Sequence, residues 1–414
     1  MNFQELQQQV SNYVYTEDNG MARIALASII STRMKLGDPV WVLMIGPSSG
    51  GKSQILRPLA LTDTKFIHRI DDLTENTFLS GMKVKKGEKD ISLLKQIGPL
   101  GIVVISDFTV IFSKSSESRN AILGQFRMVY DGEMTKYSGT SNEPITWRGS
   151  LGVLAGSTPS IYSHFEEVAD MGERFIYYRM RNYNIEKATR TSLDRKLYGR
   201  ELDDKLADMY KEYIISAVQA SKDVPDISKE THERIINISM FAALLRTPTH
   251  YDKFAKMIDK VPTPEMPMRI ALQLSSLAKG LMVMSHYDTG LWDLSEDDIT
   301  YIEWCAYSLA NEERRACLKV LASLPDNDYA FGQSIADIVG LNTSIVSINL
   351  QHLAAIGLVD RYGDGSGLQW RIKNQANKAI IRRLEGIDKD TAIHERALSA
   401  EEVDVSTQAG LEEF

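Results

Sequence analysis

The sequence predicts an α/β protein: a three-layer αβα core with a helical lid, followed by a winged helix-turn-helix unit. Three observations predict it. Short apolar runs at Val40–Ile45, Gly101–Phe108 and Gly149–Ala155 read as strands buried on both faces, the pattern of a parallel sheet. From Glu186 to about Asn311 the periodicity is helical, broken near Val224-Pro225, Thr247-Pro248 and Pro262–Pro267. Residues 312–373 then read as three helices and two strands joined by a Gly-Asp-Gly-Ser-Gly tip.

In order, residues 1–39 are expected to form two helices, with Phe3, Leu6 and Val10 on one face and a break at Asp18-Asn19-Gly20. No sizeable domain is expected before the first core strand. Residues 40–185 form the core, with a second strand at Phe66–Ile70, a helix at Asp72–Leu79 and another at Ser118–Tyr130. MKVKKGEKD (82–90) reads as a small hairpin, and Met134–Trp147 as another across Ser138–Asn142. Residues 186–311 form the lid and 312–376 the winged helix, whose third helix is capped by Asn342 or Thr343. Residues 377–414, ending ALSAEEVDVSTQAGLEEF, read as an acidic disordered tail.

Composition narrows the classes. No apolar stretch approaches the roughly 20 residues that span a bilayer, so no membrane association is expected. The first ten residues lack the basic end and apolar run of a signal peptide. Cys305 and Cys317 make no disulfide framework and have no metal-ligand spacing, and the cytoplasm is the expected location. The formal net charge of −8 confines any nucleic-acid contact to a local patch.

The chemistry concentrates after the first strand. Gly46, Pro47, Ser48, Ser49, Gly50, Gly51, Lys52 and Ser53 fit G-x-x-x-x-G-K-[ST] without mismatch, and a helical pattern begins at Gln54. Glycines let such a loop curl so that its N–H groups face a phosphate chain, beside the positive end of a helix. Lys52 would reach the β- and γ-phosphates of ATP, and the Ser53 hydroxyl would hold Mg²⁺. Asp107, at the mouth of the second buried strand, is the candidate acid acting on Mg²⁺ or the attacking water; it also reads as a helix cap. Thr158, ending the third strand, is placed to face the γ-phosphate.

Residues 40–310 resemble the AAA+ ATPases, in particular the branch containing the minichromosome-maintenance helicases. GKSQIL is similar to that family's phosphate loop, and GIVVISDFTVIF stands where its second nucleotide motif stands. YDGEMTKYSGTSNEPITWRGSLGVLAGSTP follows its order of helix, hairpin, strand and sensor. The resemblance implies that Thr158 is the first sensor. It implies that Arg174, in MGERF, is an arginine finger reaching a neighbour's nucleotide. It makes Arg269, in PMRIALQLSSLAKGL, the second sensor, with Arg246 as the alternative. Two departures stand out: the family's oligonucleotide-binding N-terminal domain is missing, and Ser106-Asp107 replaces an Asp-Glu pair. The layout is also similar to phosphate-loop ATPases of phages and mobile elements.

Read this way, ATP binds between copies of a homo-oligomeric, hexameric ring. Lys83, Lys85, Lys86 and Lys136, on two hairpins, would line its channel and track DNA through the backbone; the first three also read as a solvated hairpin tip. In the winged helix, Ser344, Ser347, Asn349 and Gln351 are polar positions of the third helix, and Arg361 and Arg371 flank the wing. That helix carries no Lys or Arg, so the unit also reads as a protein-contact module, with the acidic tail as a second docking element for a replication partner. The expected function is a DNA-acting ATPase of a phage or mobile element: helicase, loader or initiator. The alternatives are an AAA+ transcription regulator, although no GAFTGA loop is present, and a nucleotide-gated switch that binds a protein.

Overall fold

The computed structural model describes residues 1–387 apart from 16, 81–91, 138–143, 165–173, 182–183, 195, 250, 253–256 and 259. Two compact units divide the chain: residues 1–236 with 268–305, and residues 237–267 with 306–414.

In the first unit, α1 (Phe3–Ser11) and α2 (Asn19–Met34) precede β1 (Trp41–Ile45) and α3 (Lys52–Leu61). There follow β2 (Ile67–Ile70), α4 (Leu93–Ile97), β3 (Leu100–Ile105), α5 (Ser116–Tyr130), the hairpin β4 (Glu133–Lys136) and β5 (Ile145–Arg148), then β6 (Ser150–Ser157) and β7 (Ile176–Arg179). Helices α6 (Ile185–Asp194), α7 (Gly199–Ala220), α8 (Lys229–Arg246), α9 (Met268–Thr289) and α10 (Glu296–Tyr307) complete it, α8 and α10 running on into the second unit. Five strands make one parallel sheet in the order β2-β3-β6-β1-β7. Its central strands are apolar because both faces are covered: every residue of β1 is buried.

Helices α2 and α3 lie on the same face. Gly152 and Gly156, of like parity on β6, point their missing Cβ atoms at Thr32 and Leu56. The opposite face is sealed by aromatics, with Trp41 set edge-on to Phe126 and Tyr130 at centroid distances of 5.5 and 5.2 Å. The indole N–H of Trp41 donates to the Leu151 carbonyl at 2.6 Å, satisfying its one buried polar atom.

One expectation changes here. The segment 72–79 is a turn-rich loop, not a helix, because Thr77 and Asp72 side chains take up the backbone N–H groups of Thr74 and Leu73. The two helices expected in residues 1–39 are α1 and α2, and α2 is buried over most of its length and packs on α9.

The second unit contains the short pair β8 (Tyr251–Asp252) and β9 (Met257–Ile258), then α11 (Glu312–Ser323), β10 (Ala330–Phe331), α12 (Gly332–Val339) and α13 (Thr343–Ala355). Strands β11 (Val359–Tyr362) and β12 (Gln369–Ile372) pair antiparallel, and β10 joins them in the order β10-β12-β11. Asn342 caps α13, its side chain accepting from the Ser344 N–H at 2.8 Å. A last helix, α14 (Gln375–Glu385), occupies the start of the expected tail. It is amphipathic and docks on α11: Arg382 donates to the carbonyls of Ala322 and Leu324, and Glu385 pairs with Arg315 at 3.3 Å. The acidic stretch after residue 387 lies outside the described residues.

Arg314 donates to His352 Nδ1 at 2.8 Å, so that nitrogen accepts and the ring is neutral. Burial, reinforced by the Arg314 charge, pushes the His352 pKa down to about 4. The unfolded chain binds this proton nearer 6.5. This contribution to stability is therefore complete above that value and is lost as pH falls toward 4. Thermal melts between pH 7.5 and 5 should show a fall that flattens in His352→Gln, which cannot take up the proton; equal slopes would rule the linkage out.

Candidate functional site

Parallel strands bring their C-terminal ends to one edge of the sheet, where an α/β fold places its ligand crevice. Gly46 continues β1 there, its N–H donating to the Ser157 carbonyl at 3.1 Å. The loop then turns through left-handed backbone at Ser49 (φ 61°) and Gly51 (φ 92°), and α3 starts at Lys52. A Cβ at Gly50 would stand 2.9 Å from the Pro47 carbonyl oxygen, so the tight curl needs glycine at that point. Lys52 folds back into the loop, its ammonium donating to the carbonyls of Gly46 and Pro47, each at 2.7 Å. Burial holds its pKa below the usual lysine value, and the negative Asp107 nearby offsets part of that shift. Concave backbone, helix N-terminus and one buried cation fit a phosphate chain. Ser53 and Gln54 follow in the first turn of the helix.

Asp107 and Thr158 arrive at the same edge from β3 and β6. Asp107 takes the cap role read from the sequence. Its Oδ1 accepts from the Thr109 N–H and hydroxyl, capping the turn Phe108–Ser113, while its charge reaches Lys52. Thr158 shares a hydrogen bond with Ser160 at 2.7 Å. The ends of β3 and β6 are pressed together: a Cβ at Gly156 would stand 2.6 Å from the Ser106 carbonyl oxygen.

One residue was missed in the sequence. The hydroxyl of Ser106 donates to Asp71 Oδ1 at 3.1 Å, so a carboxylate stands beside the serine that replaces an expected acid. Asp71 directly follows β2, whose Ile70 is in register with Ile105, and that pairing carries it there. The signal was present as His68-Arg69-Ile70-Asp71, a strand ending in an acid one strand away from Ser106.

Arg174 and Arg269 lie together elsewhere. Their guanidinium carbons stand 5.8 and 5.9 Å from the centroid of the same Tyr130 ring, and Arg174 pairs with Asp131 at 3.4 Å. Burial, then the Arg269 charge, lowers the Arg174 pKa. Tyr130 packs on Trp41 at the start of β1, about 13 Å of strand from Ile45 at the loop. The two arginines thus flank the edge opposite Lys52. Arg246 is buried in the second unit and pairs with Glu265 at 2.8 Å.

The expected DNA contacts are only partly brought to a surface. Lys136 donates to Asn76 Oδ1 at 2.6 Å and to the Leu79 carbonyl at 3.0 Å, tying the β4–β5 hairpin to the 72–79 loop instead of presenting an open cation. Lys83, Lys85 and Lys86 lie outside the described residues. On α13, Ser344 is exposed, Ser347 accepts from Gln351 at 3.3 Å, and Asn349 turns inward to the Ile345 carbonyl. Arg361 is exposed, whereas Arg371 lies over the Tyr329 ring at 4.7 Å.

No family model matches the chain, and no curated protein matches it. Among the described residues, no helix is long and apolar enough to cross a membrane.

Proposed function

We propose that the chain is a phosphate-loop ATPase of the AAA+ type that works as a homo-oligomer on DNA. The observation that carries the reading is Lys52, buried inside a glycine loop between β1 and α3 at the C-terminal edge of a parallel sheet. In this reading the loop N–H groups and Lys52 hold the phosphates of ATP. The Ser53 hydroxyl would hold Mg²⁺, which would supply neutralisation of the phosphate charge. Asp107 orients the attacking water and Thr158 stands beside the γ-phosphate; such groups act by position and charge. Arg174 and Arg269, too far along the strands to serve their own loop, face the nucleotide of a neighbouring copy. The DNA part of the proposal rests on the resemblance in sequence and on the reading of α11–α13 with β11–β12 as a winged helix, with Ser344 and Arg361 outward.

The second reading, a nucleotide-gated switch, is favoured by Ser106: its hydroxyl is engaged with Asp71, and no carboxylate occupies its own position. Slow hydrolysis with tight binding is the expected behaviour in that case.

ATP hydrolysis with and without single-stranded and duplex DNA separates the two. For the motor, DNA should stimulate turnover and Arg174→Ala should abolish it. Mixing Arg174→Ala with Lys52→Ala should restore part of it, because an intact loop then meets an intact arginine. Turnover indifferent to DNA, with no restoration on mixing, would favour the switch.

A further inference from the structure

At the end far from the phosphate loop, α3 stops beside a cleft of about 330 Å³, within the size range of ligand pockets. Its ten residues place the cleft about 15 Å along the helix from Lys52. Ile29 of α2, Ile67 of β2 and Ile214 of α7 close the floor, each with 3% or less of its surface exposed. Leu61, the last residue of α3, and Ile215 of α7 also line it and are 37% and 38% exposed. One exposed aliphatic side chain is ordinary on a protein surface, but these two converge on a sealed apolar floor.

The charged lining is lopsided. Arg33 of α2, Lys65 of the α3–β2 turn and Lys211 of α7 are its cations, and Asp63 is its one carboxylate among the described residues. Asp63 is already engaged, accepting from Arg33 Nη1 at 2.8 Å and from the Lys65 backbone N–H at 3.2 Å. That pairing, with the guanidinium carbon 5.1 Å from the Phe66 ring centroid, holds the arginine fork in place and leaves its other N–H groups for a ligand. Lys65 and Lys211 are exposed.

We propose that this cleft docks an acidic, leucine-bearing peptide segment of a partner protein. In a chain of net charge −8, three cations around an apolar cleft are a local reversal of sign, complementary to acid. The cations stand on three separate elements, so they suit several carboxylates spaced along a chain better than the single head group of a lipid. Branched apolar side chains of the segment cover Leu61 and Ile215, and the water released there supplies affinity. The segment touches the last turn of α3 and no residue of the phosphate loop, so peptide and nucleotide can be held together.

The test is fluorescence anisotropy on the full chain with three short labelled peptides that arrange leucine, glutamate and serine in different orders. Two controls accompany them, one with serine for every leucine and one with lysine for every glutamate. At least one leucine–glutamate peptide should bind, and its controls should bind about tenfold more weakly or worse. Ile215→Glu should weaken binding about tenfold. Lys65→Glu combined with Lys211→Glu should do the same and flatten the salt dependence. All three positions are exposed, so the melting temperature should hold, and ATP binding should be unchanged. Amide exchange should slow on binding at residues 29–33, 61–67 and 211–215. Binding by none of the three peptides, equal binding of the serine control, or affinity that survives both variants would overturn the proposal. Duplex DNA that binds wild type and loses affinity in the double lysine variant would mark these lysines as phosphate contacts and overturn it as well.

Discussion

Lys52→Ala is expected to eliminate measurable ATP hydrolysis and to weaken ATP binding roughly 10- to 100-fold, the loss of about 1.5–3 kcal/mol that hydrogen bonds from a charged group contribute. The fold should survive. The two bonds that Lys52 makes go to carbonyls of its own loop, and α3 starts whether or not an ammonium is present. Equilibrium binding, steady-state hydrolysis and a melting curve on the same preparation separate the effects. Lys52→Arg is the informative companion: it keeps the charge, but a planar guanidinium does not fit a space shaped for a point-like ammonium beside two carbonyls. It should retain some binding and lose turnover. Hydrolysis within twofold of wild type in Lys52→Ala would remove the basis for an ATPase.

The largest stability effect should come from Arg23. Its guanidinium lies between Asp298, at 2.5 Å and with no exposed side-chain area, and Asp288, at 3.5 Å; its carbon stands 4.8 Å from the Phe3 ring centroid. Asp288 also accepts from the Phe3 N–H and the Tyr213 hydroxyl, and Asp298 from the Ser295 hydroxyl. One arginine thus joins α1 and α2 to α9, α10 and α7. Removing it strands two carboxylates, one fully buried, and Arg23→Ala should cost about 3–5 kcal/mol. Denaturant midpoints would measure the loss. Arg23→Met combined with Asp298→Asn should lose clearly less than the two single changes summed, since the pair is removed together. Additive losses would mean the bridge contributes nothing of its own.

What could be read in the sequence and what could not divide along physical lines. The strands β1, β3 and β6 and the loop 46–53 were legible because apolar runs, glycines and a lysine at fixed spacing are local signals. The partners of those residues were not, because they arise from pairing between distant strands. Nothing near Ser106 in the chain announces Asp71; the register of β2 on β3 brings it there. Lys136 read as an open cation because sequence cannot show that the 72–79 loop, expected as a helix, turns its carbonyls toward it. Helix α14 was hidden by the polar composition of Gln375–Glu385, whose basic residues turn out to bond backbone carbonyls at the end of α11.

The packing of α2 on α9 has a consequence for how the chain comes off the ribosome. Ile24, Leu26, Ile29 and Ile30 are fully buried, and a Cβ at Gly280 would collide with the Ala27 carbonyl, so the two helices meet backbone to backbone. The helix α9 that covers one side of α2 is encoded about 250 positions after it. At about 5–20 residues per second, α2 is complete roughly 12–50 seconds before its cover is synthesised. A nascent chain therefore carries one apolar side of this helix uncovered until α9 is made, and that contact of long sequence separation forms after the strands of the sheet are complete. Holdase chaperones, or expression at reduced temperature, would act on that interval.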